Sequence, residues 1–513
     1  MMPLLISTVD NVISGFKQNP FISTIAIPTF NRPAELERCL VSYLENQHRW
    51  HRADGRVIIA DGSVRSEIRL KNRRILTDIS LKYNVNGVYC GLEEKLKLAK
   101  YLMACNAAPP DVIKFSFFDS EQTGLPTTGT NRNILLLYTK GRNALHVDDD
   151  TVCRIAVSPE AQADFRALEE DPFTSTHPCS TRFFPNWEKM IDVVKFRDDD
   201  VFAIHERLLG GKFIFSHRSF NATVKEGDKS ESNEAKIRVT IGGVVGDCGW
   251  AVPWHWALVG ESLDALTVSE STYRASIVSR SLLRLVRKAT ISSRTRNSLG
   301  LFVGMDHHQP LPPYVPVGRG QDTIFWITLA TTCPAAYIGH LPAAILHSPV
   351  HFRSFWPREI AESASGISLD QFFSLLIEST GFSLNLSDDY ANMRNLGKAL
   401  EKVGLSQTDN FIAEVSKHAK TMVECCTTTV LQRLQNAESG RAFWANDVRT
   451  YLRALNKAAL QPDFGIPLEL RNGRDSAAAA KLGQKLVFRF GQLLYYWPDI
   501  VEAMSGYNHT GDA

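Results

Sequence analysis

The stretch TIAIPTFNRPAELERCLVSYLEN, residues 24–46, begins the pattern that decides the fold class. Its first four residues form a short β-branched and apolar run, which predicts a strand, and a loop bounded by two prolines ends that strand. A helix is predicted next, because Leu36, Leu40 and Leu44 recur at helical spacing and acidic residues stand near its start. The stretch therefore predicts a strand, a loop and a helix in that order.

The same alternation continues along the chain. Further strands are predicted at residues 56–60, 112–118 and 144–147, and further helices at residues 95–104 and 131–139. Such alternation is typical of a mostly parallel sheet covered by helices, where ligands bind beyond the carboxyl ends of the strands. The predicted fold class is therefore α/β.

Two regions differ from this pattern. Residues 156–250 are irregular and contain a polar segment at 225–236, so we interpret them as an insertion that serves the acceptor. Beyond residue 358, apolar residues recur at helical spacing and strand signals are few. We therefore predict a first domain at residues 1–358 and a helical domain at residues 359–513.

The overall composition is that of a folded globular protein. Hydrophobic residues make up 44% of the 513 positions and charged residues 22%. The 57 basic and 55 acidic residues nearly cancel, which leaves no electrostatic reason to expect nucleic acid as a partner.

Cysteine usage and hydropathy favour a cytoplasmic location. The nine cysteines include no CxxC pair, so we interpret them as reduced and buried. The N-terminal segment lacks a basic leader, and Asp10 interrupts its apolar run, unlike in a signal peptide. No stretch approaches the roughly 18 apolar residues of a membrane span, so no transmembrane segment is expected.

Three consecutive carboxylates, Asp148, Asp149 and Asp150, follow the strand predicted at 144–147. If the strand continues, Asp148 and Asp150 share one face and Asp149 points elsewhere. Two carboxylates on one face suit Mg²⁺ or Mn²⁺, which shares its remaining positions with substrate phosphates. A solvated loop at the strand end is the alternative. A second triplet, at 198–200, precedes a predicted helix and is interpreted as acids at a helix start.

Four motifs in this order, PTFNRP, VIIADGS, GTNRN and HVDDD, resemble the family 2-like glycosyltransferases of the GT-A fold. The resemblance implies a Rossmann-like GT-A domain, a nucleotide-sugar donor such as a UDP-sugar, and a DxD motif that holds Mn²⁺ or Mg²⁺. It implies donor contacts by Pro28, Thr29, Asn31, Asp61, Arg132, Asp148 and Asp149. Asp61 would bind the uracil, Arg132 would steady the nucleotide, and Asp148 and Asp150 would hold the metal.

Each of these assignments has a structural alternative. Asp61 fits a common Asp-Gly turn, Arg132 fits a surface cation, and Asn31 fits a cap for the following helix. With three aspartates in a row, Asp149 remains open as the metal ligand in place of Asp148.

The stretch PPYVPVGRGQDTIFWITL, residues 312–329, resembles the place where the same family carries an acidic pair. In inverting members the aspartate of that pair is the general base. Here Gln321 takes the first position, so only Asp322 matches. A base is required because the attacking hydroxyl must lose its proton. The alternative is that Asp322 is an acid in the first turn of a helix.

A third metal ligand is implied by the same resemblance. His347 follows an apolar run and is the candidate, whereas a structural histidine at a strand end is the alternative. The segment 242–256, with Trp254 and Trp256, is interpreted either as a wall of the sugar or acceptor pocket or as ordinary core.

The sequence and the resemblance therefore predict a metal-dependent glycosyltransferase that transfers a sugar to a hydroxyl acceptor with inversion, with Asp322 as base. The alternatives are a retaining enzyme, a nucleotidyltransferase, and a non-catalytic scaffold with a degenerate GT-A domain. The helical domain is open as a site for an acceptor, a partner or a second copy of the chain.

Overall fold

The fold is described from a computed structural model that covers residues 21–52, 55–119, 121–161, 166–168, 172, 179–214, 234–249, 258–296, 298–351, 353–355, 362–381, 388–435 and 441–507. These residues form an α/β fold with one large mixed sheet and a helical region toward the C-terminus. The predicted fold class is confirmed at this level.

The first part of the chain alternates strands and helices. Its elements are β1 (Thr24–Thr29), α1 (Pro33–Arg49), β2 (Arg56–Asp61), α2 (Ser66–Tyr83), β3 (Asn86–Cys90), α3 (Leu92–Ala104), α4 (Pro110–Phe117), α5 (Thr128–Tyr138) and β4 (Asn143–Val147). The strands pair in parallel in the order β3-β2-β1-β4. They are largely buried because helices cover the sheet, as the apolar runs predict.

The second part widens the same sheet. Its elements are β5 (Thr151–Val157), β6 (Arg166–Leu168), β7 (Cys179–Phe183), α6 (Trp187–Val193), β8 (Phe196–Arg197), α7 (Val201–Glu206), β9 (Lys212–Ile214), β10 (Glu234–Asp247), α8 (Gly260–Leu266), α9 (Glu270–Val278), β11 (Ser281–Val286), β12 (Thr290–Ser292), β13 (Phe302–Asp306), α10 (Gln321–Thr332) and β14 (Ala336–His347). The strand order continues β4-β13-β10-β14-β12-β6, with β13 antiparallel to both β4 and β10.

The C-terminal part is helical, as predicted. Its elements are α11 (Leu369–Ser379), α12 (Asp389–Gly404), α13 (Thr408–Gln435), α14 (Ala442–Ala459), α15 (Ser476–Ala503) and the short 3₁₀ helices Leu468–Arg471 and Met504–Gly506. Helix α15 packs on α12 and also on α4 of the first part. A single hydrophobic cluster contains Phe115 of α4 together with Phe490 and Trp497 of α15. The helical region therefore shares a core with the layer that covers the sheet, and the boundary at residue 358 stays a prediction.

One strand prediction is wrong, and one strand was not predicted. The run 112–118 is not the third strand; it lies in helix α4, which begins at Pro110 and buries Val112, Ile113 and Phe115. A short apolar run cannot distinguish a buried strand from a buried helix, and proline in the first turn favours the helix. The third strand is β3, whose residues include an asparagine and a glycine that weaken the strand signal.

The region from 156 to 250 is more regular than predicted. It contains β6–β9 and the long strand β10, which pairs with both β13 and β14 near the middle of the sheet. Residues Gly242–Asp247 therefore belong to a sheet strand. Trp254, Trp256 and most of the polar segment 225–236 lie outside the described residues.

The cysteine interpretation is confirmed in part. All eight cysteines whose state is described are free thiols, but Cys105 and Cys425 are exposed. Among the described helices, none combines the length and hydropathy that crossing a membrane requires.

Candidate functional site

A crevice is expected where β1 meets β4. The chain leaves β1 through α1 to join β2 on one side, whereas β4 pairs with β1 on the other side. In open α/β sheets, ligands bind outside the carboxyl ends of the strands at such a reversal of strand order. The carboxyl ends of β1 and β4 are Thr29 and Val147, and the aspartate triplet follows Val147 directly.

The triplet forms a turn between β4 and β5, so the predicted strand alternation does not hold there. The main-chain N–H and the hydroxyl of Thr151 both donate to the main-chain oxygen of Asp148, at 3.1 and 2.8 Å, and these hydrogen bonds close the turn. As a result, each aspartate faces a different principal partner.

Asp149 faces the end of β1. Its Oδ2 accepts a hydrogen bond of 2.7 Å from Oγ1 of Thr29, and its Oδ1 lies 3.3 Å from Nη1 of Arg32. Burial and the neighbouring charge of Asp150 raise the pKa of Asp149 to about 8, although Arg32 and Thr29 oppose the shift. Asp149 is therefore tied to the loop after β1, where the sequence predicts contact with the donor.

Asp150 pairs with the end of β14. Its Oδ1 lies 3.0 Å from Nε2 of His347, and its Oδ2 accepts a hydrogen bond of 2.7 Å from Arg32. Burial opposes ionisation of Asp150, but His347 and Arg32 together lower its pKa. Burial likewise disfavours the charged form of His347, yet Asp150 and Asp247 raise the pKa of His347 to about 9. The structure thus brings together two of the three predicted metal ligands.

Arg132, in the first half of α5, links the third aspartate to the predicted base. Its Nη2 donates a hydrogen bond of 2.7 Å to Oδ1 of Asp148, and its Nε lies 3.6 Å from Oδ1 of Asp322. Arg132 is buried above the ring of Tyr314, with 5.8 Å between the guanidinium carbon and the ring centroid. The interpretation of Arg132 as a surface cation is therefore wrong.

Asp322 lies in the first turn of α10 and is held from outside that helix. Its Oδ2 accepts a hydrogen bond of 2.9 Å from the main-chain N–H of Gly300. Its buried Oδ1 has no hydrogen-bond partner among the described residues. Because buried polar atoms are rarely left without a partner, this oxygen is a candidate for contact with a ligand or water.

Asp61 is engaged within the protein. It lies at the carboxyl end of β2 beside Thr29, and its Oδ1 accepts from the N–H of Ser63 at 2.7 Å. Its Oδ2 accepts from Asn72 at 2.8 Å and from the hydroxyl of Tyr89 at 2.6 Å. The carboxylate therefore joins β2, α2 and β3, and its predicted contact with a base stays a prediction.

Asn31 does not cap helix α1, since the residue before the helix is Arg32. Asn31 has a φ of 58°, an unusual backbone conformation for a residue other than glycine, and its N–H donates to Oγ of Ser63 at 2.8 Å. Pro28 is buried in β1 opposite Ala60. These contacts join the loop after β1 to the turn after β2.

Several charged residues of the site have no role in the sequence predictions. Arg32 pairs with both Asp149 and Asp150, although it lies inside a motif that carries the resemblance. Asp247, at the end of β10, accepts from Arg280 and Arg353, and its main-chain oxygen accepts a 2.7 Å hydrogen bond from Nδ1 of His347. The proximity of β10 to β14 depends on sheet register, which local patterns do not reveal.

The residues fit a divalent cation with few protein ligands. The described residues contain no group of three His, Cys, Asp or Glu side chains arranged to bind a metal. However, Oδ1 of Asp150 and Nε2 of His347 are 3.0 Å apart, about the spacing of adjacent octahedral ligands whose metal bonds are about 2.1 Å. Nδ1 of His347 is already engaged, which directs Nε2 toward this position.

The second triplet behaves as predicted. Asp200 caps helix α7 by accepting from the N–H groups of Phe202 and Ala203, and it also pairs with Arg52. His340, a second histidine of β14, has its Nε2 2.8 Å from Oγ of Ser292.

Comparison with known proteins does not assign the chain to a family. It matches no model of a known protein family, and no curated protein matches it.

Proposed function

We propose that the protein is a metal-dependent glycosyltransferase that moves a sugar from a UDP-sugar to a hydroxyl acceptor. One observation carries the proposal. Side chains from the ends of β1 and β14, from α5 and α10 and from the turn after β4 converge beside the reversal of strand order. They are Thr29, Arg132, Asp148, Asp149, Asp150, Asp322 and His347.

The metal edge of the proposed site consists of Asp150 and His347. Mn²⁺ or Mg²⁺ would supply positive charge that stabilises the departing diphosphate. Arg32 contributes a further positive charge at the same carboxylates, and its side chain is 40% exposed. Arg132 neutralises Asp148 within the protein and keeps that carboxylate in place.

Asp322 is the proposed general base. The N–H of Gly300 holds one carboxylate oxygen. The other, which lies 3.6 Å from Nε of Arg132 and has no hydrogen-bond partner among the described residues, would accept the proton of the acceptor hydroxyl. Direct displacement by that hydroxyl would invert the configuration at the anomeric carbon. A retaining reaction is the second candidate, and NMR of the product distinguishes the two, because retention would exclude Asp322 as the base.

The first test is a thermal-shift screen with UDP, GDP, CDP and ADP, each with and without Mn²⁺. A ligand at about 100 times its dissociation constant stabilises the folded state by roughly 2.7 kcal/mol, which raises the melting temperature by a few degrees. We expect UDP to stabilise the protein only with Mn²⁺, and Asp150→Asn to abolish the effect.

Asp198→Asn is the matched control, since Asp198 belongs to the other triplet and its side chain is 64% exposed. The control should retain the full UDP response. If no nucleotide stabilises the wild-type protein, the proposal is wrong and the scaffold alternative becomes the better one.

A further inference from the structure

The outward face of helix α2 carries two exposed leucines. Leu70 and Leu81 are 68% and 79% exposed. They are 11 residues apart in the helix, which is about three turns, so both point to the same side of α2. The residues that α2 buries lie on the opposite side, and they are Ile68, Asn72, Ile75, Leu76 and Ile79. Leu70 and Leu81, the leucine stripe, are therefore separate from the core.

Basic side chains flank the leucine stripe. Helix α2 has five basic residues against two acidic ones, whereas the whole chain has 57 against 55. By helix geometry, Arg73 lies on one side of the stripe, and Arg74 and Lys71 lie on the other. Lys71 and Arg74 are exposed, and their side chains make no hydrogen bond or ion pair with any residue that the structure describes. The excess positive charge is therefore free to meet an anionic partner.

This combination of side chains favours a lipid surface over a protein or a nucleic acid. Leucine is under-represented among the residues that dominate protein interfaces, where tryptophan, tyrosine and arginine are enriched. Single-stranded nucleic acids are bound by stacking on aromatic side chains, and the exposed positions of α2, which is described throughout, include no aromatic residue. In a helix at a membrane interface, aliphatic side chains enter the boundary between headgroups and acyl chains, while lysine and arginine extend to the headgroups.

We infer that α2 docks reversibly on the anionic surface of a lipid bilayer, with Leu70 and Leu81 inserted and Lys71 and Arg74 at the headgroups. The helix is about 27 Å long and would lie in the plane of the surface, because its leucines are spread along it. It begins just after the carboxyl end of β2, so docking would place the edge of the sheet that carries the candidate site beside the lipid. The inference does not rest on the proposed function, since lipid binding requires neither UDP nor Mn²⁺.

The test is co-sedimentation of the full chain with two kinds of vesicle, one of phosphatidylcholine alone and one that also contains about 30% phosphatidylserine. We expect wild-type protein to bind the anionic vesicles more tightly, and salt to weaken that binding. The double variant Leu70→Gln with Leu81→Gln should bind them about tenfold less tightly, because it loses the apolar surface that is buried in the lipid. Glutamine is a good helix former, so the helix is kept.

A second double variant tests the charges. Lys71→Gln with Arg74→Gln should weaken binding to the anionic vesicles about 30-fold, or about fivefold for each cation removed. It should have little effect on binding to phosphatidylcholine alone, because a neutral surface does not attract the two cations.

Matched controls carry the same substitutions elsewhere on the surface. Leu405→Gln with Leu460→Gln changes two leucines that are 71% and 78% exposed and lie outside α2. Lys417→Gln with Lys481→Gln changes exposed lysines of α13 and α15. Both controls should bind vesicles as wild type does.

The inference is wrong if wild-type protein does not bind anionic vesicles, or binds neutral ones as tightly. It is also wrong if the Leu70 and Leu81 variant binds like wild type, or if the controls lose as much affinity. Light scattering tests a second copy of the chain as the occupant. A wild-type dimer that this variant converts to a monomer would overturn the inference. The nucleotide screen is read without lipid, so the proposed function and the docking surface can fail independently.

Discussion

His347 lies between two aspartates, with Nε2 3.0 Å from Oδ1 of Asp150 and Nδ1 donating a 2.7 Å hydrogen bond to the main-chain oxygen of Asp247. Because Nδ1 carries a hydrogen in this arrangement, Nε2 is the nitrogen that gains a second proton or binds a metal. A proton and a divalent cation therefore compete for one position.

This competition predicts a pH dependence of the metal-free protein. The pKa of His347 is raised to about 9 from an unfolded value of about 6.5, so its pairing with Asp150 stabilises the fold fully below about pH 6.5. That stability is lost as the pH rises through about 9. The measurement is urea unfolding in EDTA at several pH values. Between about pH 6.5 and a pH above 9, the difference in free energy of unfolding between wild type and His347→Gln should fall by about 3 kcal/mol. A constant difference would contradict the prediction.

Substitution by asparagine should cost less stability at Asp149 than at Asp150. The pKa of Asp149 is raised to about 8, so this carboxyl is mostly protonated at pH 7 and asparagine resembles it in charge. Asp149→Asn should change the metal-free unfolding free energy by less than about 1 kcal/mol. Asp150→Asn removes the anion from the buried pair with His347 and should cost about 3 kcal/mol. Equal losses in urea unfolding would disprove this interpretation.

Gly246 should be required for the position of His347. Its φ is 118°, and a Cβ there would lie 2.1 Å from the main-chain oxygen of His347. We expect Gly246→Ala to displace the end of β14 and to abolish the Mn²⁺-dependent UDP response. Gly473 is the control, because its φ is 69° and its Cβ position is open.

The free energies of unfolding of the two alanine variants distinguish backbone strain from the clash with the main chain of His347. Gly473→Ala should cost about 1 kcal/mol for the backbone conformation alone. Gly246→Ala should cost about 1 to 3 kcal/mol more, because the clash is with main chain that cannot move aside. Equal costs would show that the contact with His347 is unimportant.

Asp322→Asn should separate turnover from donor binding. Asparagine can still accept from the N–H of Gly300 but cannot take a proton. With an active UDP-sugar, the rate of transfer should fall about 10²- to 10⁴-fold while UDP affinity stays within about twofold. Gln321→Ala serves as the neighbouring control. If the Asp322→Asn variant turned over at the wild-type rate, Asp322 would be excluded as the base.

The sequence predicts the local elements well where two independent signals agree. For α1 and α10, apolar spacing and an acid in the first turn both indicate a helix, and both helices are present. The run VIKFSFF has only its apolar character, which a buried strand and helix α4 share. The prediction that Asp148 and Asp150 share one strand face is wrong for a related reason. Apolar character does not show where β4 ends, and Thr151 closes a turn directly after Val147.

The candidate site was predictable only in those parts that lie within motifs. The place of Asp148 and Asp150 after a strand makes them candidates, whereas Asp322 and His347 are candidates through the family resemblance. The arginines on Asp247 were not predicted, because Arg280 and Arg353 reach it from distant parts of the chain. Such contacts depend on how β10, β11 and β14 pair, which is a property of the assembled sheet.

The shared core of α4 and α15 has a consequence for synthesis of the protein. Phe490 and Trp497 emerge from the ribosome hundreds of residues after Phe115, yet all three belong to one hydrophobic cluster. Domains generally fold as units during translation, N-terminal first. The face of α4 that packs on α15 stays uncovered until residues 490–497 have been synthesised, so the nascent chain needs protection from aggregation up to that point.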